Sequence, residues 1–231
     1  AGEQPARDRL LSVLSGGPPD IDETYSTGYT NLTYIDVEQR RLGAGAVVLA
    51  VRIPLVVEHG LPICRVVRPA PRGRLNLLVG DWDEALTDAD VVLASPSAPF
   101  ARTWPLLIRG LVSLRRSGDD AGGIDGAWQL ARRYGEPLRL LPAAAAIAER
   151  TWLTGTVDPR LDECRSLLDT APVTGLQWAR GELATWLRRI DPAVSITDTA
   201  EPYALVLDGR FEAAAAAFHG LSTPYDAALA L

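Results

Sequence analysis

The chain has 231 residues, 47% of them hydrophobic and 23% charged, with a formal net charge of -6, no methionine, two cysteines and two histidines; all 23 basic residues are arginine. Without lysine there is no Walker A loop, no Schiff-base chemistry and no lysine-rich patch for nucleic acid or anionic membrane. Two cysteines far apart exclude a disulfide framework and a four-thiolate zinc site, and the length suits one domain or a repeat array with a sizeable core.

A leading helix is predicted from Gln4 to Leu14, closed off by Ser15-Gly16-Gly17-Pro18-Pro19. Beyond it one repeat is visible. Helix-like segments run into Gly43, Gly80, Gly118 and Gly155, and subtraction of those positions gives spacings of 37, 38 and 37. The next step falls at the helix stop Arg188-Arg189-Ile190-Asp191-Pro192, and Gly209 repeats the setting once more. After Gly80 the apolar residues Trp82, Ala85, Leu86, Ala89, Val92 and Leu93 form a helical stripe, with Asp81 as the expected N-cap and Glu84 completing a capping box. Before the glycines, Trp104, Leu107, Ile108, Leu111, Val112 and Leu114 form one helix face, and Ala179, Leu183, Trp186, Leu187 and Ile190 another. A strand reading survives only for Ala46 to Val51 and Ile63 to Val67.

The expected fold is therefore all-α. Antiparallel helical hairpins stack as a tetratricopeptide-like right-handed superhelix, in degenerate repeats of about 37 residues. Gly73, Gly80, Ala85 and Ala89 match the small-residue points of that pattern, as do Gly209, Ala214 and Phe218 of the last unit; Gly122 and Gly123 depart from it. Residues 1–231 form one domain, with a leading helix and linker at 1–19, repeat units at 20–190, an interruption at 191–200 and a truncated last unit at 201–231. The opening at Ala1 and the uncapped end at Leu231 read as a piece cut from a longer protein. With no basic-then-apolar leader, and with the apolar stretch 43–57 broken by Arg52 and Pro54, a cytoplasmic location is expected.

Candidate chemistry is sparse. Gly43-Ala44-Gly45 lacks the preceding strand and the third glycine of a dinucleotide loop. His59 and Cys64 are close in sequence, but His219 and Cys164 stand alone, so no metal site is expected; His59 reads as a C-terminal helix residue. The acidic set Asp81, Asp83, Glu84, Asp88 and Asp90 reads as helix-start carboxylates, and the pairs Arg40-Arg41, Arg115-Arg116 and Arg188-Arg189 as helix-terminating cations. The first helices of a superhelix line its concave groove, which places Thr33, Arg74, Glu149, Trp152 and Trp178 there as an expected site for a peptide or small polar ligand.

Much of the chain, from about Thr30 to Leu231, resembles the helical-repeat region of large ATP-binding bacterial transcriptional regulators of the LuxR type, the signalling ATPase class that includes the maltose regulator. The resemblance is carried by Glu58-His59-Gly60-Leu61, Gly80-Asp81-Trp82-Asp83-Glu84-Ala85-Leu86, Arg133-Tyr134-Gly135-Glu136 and Glu149-Arg150-Thr151-Trp152-Leu153-Thr154-Gly155. It continues through Arg180-Gly181-Glu182-Leu183-Ala184-Thr185-Trp186-Leu187, Ala200-Glu201-Pro202-Tyr203-Ala204-Leu205, Gly209-Arg210-Phe211-Glu212-Ala213-Ala214 and Pro224-Tyr225-Asp226-Ala227-Ala228-Leu229-Ala230-Leu231. The resemblance implies a nucleotide-binding module, sometimes with a cyclase domain, before the repeats and often a helix-turn-helix domain after them; no nucleotide- or DNA-contacting residue transfers to this chain. The expected role is a non-catalytic sensor and interaction module without a cofactor, working with other domains of its parent, an effector or protein segment, or a second copy of itself. The negative charge argues against direct nucleic-acid contact, and no membrane partner is expected. A self-association scaffold is the alternative, and a small helical enzyme the third.

Overall fold

The computed structural model describes residues 3–15, 23–52, 69–96 and 99–231. Among them lie thirteen α-helices and no strand. Helix α1 (Glu3–Ser15), α2 (Glu23–Glu38) and α3 (Leu42–Val47) come first, α3 running into a π-helical turn over Val48–Arg52. Then follow α4 (Pro69–Val79) with α5 (Trp82–Ala94), α6 (Thr103–Ser117) with α7 (Gly123–Tyr134), and α8 (Pro137–Thr154) with α9 (Leu161–Thr170). Helix α10 (Gln177–Ile190) has only the irregular stretch 191–200 after it, and the chain goes on through α11 (Glu201–Leu207), α12 (Phe211–Gly220) and α13 (Pro224–Leu229).

The helices stack in two layers because each hairpin has one apolar face to bury. First helices pack on first helices, α4 on α6, α6 on α8 and α8 on α10, while α5, α7 and α9 lie outside and each also touches the next first helix. The expected face of α6 is fully used, with Trp104, Leu107, Ile108, Leu111, Val112 and Leu114 all buried. At the centre, residues Ala143, Ala144, Ala145, Ala146 and Ala148 of α8 are buried together with Ile147, so their small side chains let the neighbouring helices come close. Helices α11 to α13 fold back from α10, and α13 returns to pack against α4.

Glycine serves this stack in two ways. Gly80, Gly118, Gly155 and Gly209 have φ between 68° and 88°, the left-handed conformation that ends a helix at little cost. Gly110 and Gly123 instead mark a close backbone approach of two helices. A Cβ on Gly123 would sit 2.7 Å from the Gly110 amide nitrogen and from the Leu106 carbonyl oxygen. Of the Gly122-Gly123 pair, Gly123 is thus a steric requirement of the α6–α7 contact, whereas Gly122 has open space around it and a φ of 75°.

Three local expectations are corrected. Gly43 is not a helix stop: it lies inside α3 with open space around it, and the chain turns at Arg40, whose φ is 55°. There the Arg41 amide donates to the Asp36 carbonyl at 2.7 Å and the Arg40 amide to the Val37 carbonyl at 3.0 Å, a Schellman closure made without glycine. Asp81 precedes α5 but makes no side-chain cap hydrogen bond, so the capping box is not formed. Residues 46–51 are helical, α3 running on into the π-helical turn, with Val48 buried beside Leu14, Tyr29 and Leu32 and Val47 exposed; 63–67 and the pair His59 and Cys64 lie outside the described residues.

Single substitutions separate these roles. Gly110→Ala is expected to lower the unfolding free energy by about 1–3 kcal/mol through overpacking, whereas Gly43→Ala, inside a helix with no neighbour to meet, is expected to raise it by about 0.5–1 kcal/mol. Urea unfolding followed by circular dichroism measures both, and equal effects would contradict the packing described.

Candidate functional site

The inner wall made by the first helices carries charged and aromatic side chains where a repeat core usually carries aliphatic ones. Arg74 of α4 is 2% exposed, Glu149 of α8 is 1% exposed and Arg40, at the end of α2, is 3% exposed. Charges buried to this degree persist only if each is paired, since the desolvation of an isolated ion costs several kcal/mol. They are paired, and the partners come from different helices.

One set joins α2, α4 and α10. The Arg40 guanidinium donates to Glu182 Oε2 at 3.1 Å and to the Tyr203 hydroxyl at 3.3 Å. Arg74 reaches the same Glu182 oxygen at 3.4 Å and Glu38 at 3.5 Å, and its guanidinium lies 4.0 Å from the centre of the Trp104 ring. A second set joins α6, α8 and α13. Arg115 donates twice to Glu149, at 2.6 and 2.9 Å, and sits 3.9 Å from the Tyr225 ring centre, while the Tyr225 hydroxyl donates to Glu149 at 2.7 Å. Trp82 meets Tyr225 edge-on at 5.9 Å. Planar guanidinium groups make both kinds of contact at once, bidentate to a carboxylate and stacked on a ring, which an ammonium does not.

Asp226 lies between the two sets. Burial pushes its carboxyl up to about 6, against the pull of Arg40, Arg115 and Arg74 and with the repulsion of Glu182 added. Burial also raises Glu38, whereas in Glu182 the same burial is outweighed by Arg74, Arg40 and Arg115, which hold it below the usual carboxylate range. Neighbouring carboxyls pushed in opposite directions show that positive charge is concentrated on Glu182. At the far end, Arg189 donates to the Leu229 carbonyl at 2.5 Å and stacks near Trp186 and Trp152, at 5.1 and 5.6 Å.

The five residues assigned to the groove from the repeat register fall at different depths. Arg74 and Glu149 belong to the two charged sets. Trp178 flanks the first, with Arg40 5.5 Å from its ring centre and Tyr203 at 6.1 Å. Trp152 is 43% exposed and stacks on Trp186 at 5.8 Å, at the edge beside Arg189. Thr33 is fully buried, and its hydroxyl donates at 2.8 Å to the Tyr29 carbonyl of its own helix.

Sequence reasoning passed over Arg40, Arg115, Glu38, Glu182, Tyr203, Tyr225 and Asp226. The arginine pairs are the clearest correction: Arg40 and Arg115 turn inward to carboxylates, while Arg116 turns outward to Asp83 at 2.9 Å and Arg188 to the Val194 carbonyl at 2.8 Å. Asp88, taken as a helix-start carboxylate, is a fully buried mid-helix residue that accepts from Arg72 at 2.8 Å and Asn76 at 3.3 Å.

Other polar features are structural. Arg150 joins Asp120, Asp125 and Asp158 across two hairpins, and Arg160 shares the last two. Cys164 is buried and its thiol is pushed up to about 12 by desolvation, the state of an inert core cysteine. Among the described residues no cluster of His, Cys, Asp or Glu suits a metal ion. A cavity of about 430 Å³ opens between α5, α6 and α7, but its arginines, Arg109 and Arg116, already face Asp90 and Asp83, and Asp120 caps the start of α7.

The Asp226 environment predicts a sign for pH dependence. Its carboxyl lies at about 6 when folded and near 3.8 when free, so the folded state binds this proton more tightly. Its contribution to stability is then largest at and below pH 4 and lost as pH rises through 6. For a partly accessible group the amount is about 1 kcal/mol. Wild type should therefore lose about that much relative to Asp226→Asn between pH 5 and pH 8, measured by urea unfolding at each pH; a constant difference would contradict it.

Compared with known protein families, curated proteins and solved structures, the chain matches none, so its functional reading stands on the chemistry of this wall.

Proposed function

We propose that the chain is a non-catalytic interaction module, a tetratricopeptide-like superhelix in a multidomain bacterial transcriptional regulator, that binds an effector or protein segment along the inner wall of its first helices. One observation carries this reading: a short helical segment, α13, lies on that wall, and arginine, glutamate and tryptophan side chains from separate hairpins converge on it. Ladders of such groups on rigid helices suit a ligand with both a ring and a negative charge. Helical hairpins with left-handed glycine stops at Gly80, Gly118 and Gly155 support the repeat reading, and the resemblance to LuxR-type regulators supplies the proposed parent and its cytoplasmic location. Among the described residues, no helix is long and apolar enough to cross a membrane. Binding of a ligand to one arrangement of this arm would shift the parent between resting and active states.

Self-association without a small ligand is the second reading, and one surface favours it. Phe100, Tyr134 and Leu138 are exposed, with Phe100 and Tyr134 in edge contact at 6.2 Å and Arg139, next in sequence to Leu138, over the Phe100 ring.

Thermal-shift screening against polar metabolites and short acidic peptides, with sedimentation of the same samples, distinguishes the two. The groove reading expects at least one ligand to raise Tm in a saturable way and to change tryptophan emission through Trp82, Trp104 or Trp178. A null screen together with a dimer lost on Leu138→Glu would overturn it.

A further inference from the structure

We infer that the cavity between α5, α6 and α7 is a binding site for an elongated apolar molecule that carries a carboxylate at each end. The site lies toward the outer layer, shares no lining residue with the inner wall and does not depend on the groove reading above.

At about 430 Å³ the cavity has the size of a small-molecule site. Its floor is apolar, made by Leu86 of α5 with Leu106 and Val112 of α6. Its edge at the start of α7 is fixed by the backbone. The Asp119 and Asp120 carboxylates accept the Ala121 and Gly122 amides at 3.0 and 3.3 Å, with φ of 48° at Ala121 and 75° at Gly122. Gly122 and Gly123 add no side chain that would fill the opening.

The charged groups at this floor are held loosely. Arg109 and Arg116 lie two turns apart on α6, a rise of about 10 Å, with Val112 and Ser113 between them in the sequence. Arg109 Nε is 3.7 Å from Asp90, beyond hydrogen-bond distance, and Arg116 meets Asp83 through one nitrogen at 2.9 Å; these four side chains are 45% to 84% exposed. Pairs this exposed contribute about 0–1 kcal/mol and leave most of the N–H donors of each guanidinium free. A ligand carboxylate taken by two parallel N–H groups is held more firmly than either pair. The remaining acid of the lining, Asp120, is already spent on the Gly122 and Ile124 amides and on Arg150 at 2.9 Å. Ser117 donates its hydroxyl to the Ser113 carbonyl at 2.8 Å, whereas the Ser113 hydroxyl makes no hydrogen bond among the described residues.

What the cavity offers is therefore donors at two separated points along an apolar strip. That arrangement selects a chain with an anion at each end over a single-headed anion, and over a cation. A molecule lying along the strip touches α5 of one hairpin and both helices of the next, so its binding is coupled to the spacing of the two hairpins.

The test uses the whole chain and isothermal titration calorimetry with three probes. Nonanedioate matches the two-turn separation when extended, nonanoate has the same chain with one carboxylate, and butanedioate has two carboxylates close together. Saturable binding of nonanedioate is expected, about tenfold tighter than of either other probe and about tenfold weaker in Arg109→Ala and in Arg116→Ala. Ser113→Trp fills the strip from a half-buried position and is expected to abolish binding while circular dichroism stays that of wild type. Absence of saturable binding by wild type, equal affinity for nonanoate, or unchanged binding by a folded Ser113→Trp variant overturns the proposal. If Ser113→Trp does not fold, Arg109→Ala/Arg116→Ala takes its place, and binding by that variant equal to wild type overturns the proposal in the same way.

Discussion

The structure depends on buried charge that no single hairpin neutralises. Glu149 on α8 is nearly inaccessible and is matched by Arg115 from α6 and the Tyr225 hydroxyl from α13; Glu182 on α10 is matched by Arg40 from the end of α2 and Arg74 from α4. Removing one member of such a set leaves an uncompensated ion in a poorly solvating interior, a penalty of about 3–5 kcal/mol. The hairpins are therefore coupled by more than apolar stacking. In an ordinary repeat array each unit contacts only its neighbours and stability is a near-neighbour sum; here the contact of α13 with α4 and the sharing of Asp226 between the two sets link helices far apart in the chain.

The all-arginine composition acquires a physical meaning in this setting. Arg74 lies against Trp104, Arg115 against Tyr225 and Arg40 near Trp178, each while also pairing a carboxylate or a hydroxyl. A guanidinium is weakly hydrated and planar, so it enters a stacked, half-dry site at lower desolvation cost than an ammonium. Arg40 illustrates the balance. Its backbone takes the left-handed conformation that glycine occupies at the turns of Gly80, Gly118, Gly155 and Gly209, at about 1–2 kcal/mol for a residue with a Cβ, and its side chain spans from that turn to Glu182 and Tyr203.

Helices were legible in the sequence because their signal is local. The apolar stripes of α5, α6 and α10 have the period of the helix, and the glycine stops at 80, 118, 155 and 209 have the conformation that only glycine takes cheaply. The stop at Arg40 was illegible, since its Schellman closure is made by backbone groups of Asp36 and Val37 with nothing in the side chains to announce it. Of the five residues expected along a groove, Arg74 and Glu149 lie in the two charged sets while the Thr33 hydroxyl bonds only within its own helix, and an error of one position rotates a helical face by about 100°. Arg115 and Asp226 were hidden for a different reason. A charged residue near a helix end has a sufficient local explanation in the dipole, and only tertiary placement shows that the side chain turns inward. Tyr225 belonged to the end of the last unit, 201–231, which read as truncated, with no sequence signal for where it docks.

The account turns on one contact, between the Tyr225 hydroxyl of α13 and the Glu149 carboxylate of the inner wall. A double-mutant cycle of Tyr225→Phe and Glu149→Gln, read by urea unfolding of the single and double variants, measures it directly. A buried hydrogen bond to a carboxylate predicts a coupling of about 1–2 kcal/mol; additive effects, with a coupling near zero, would contradict the docking of α13 on this wall.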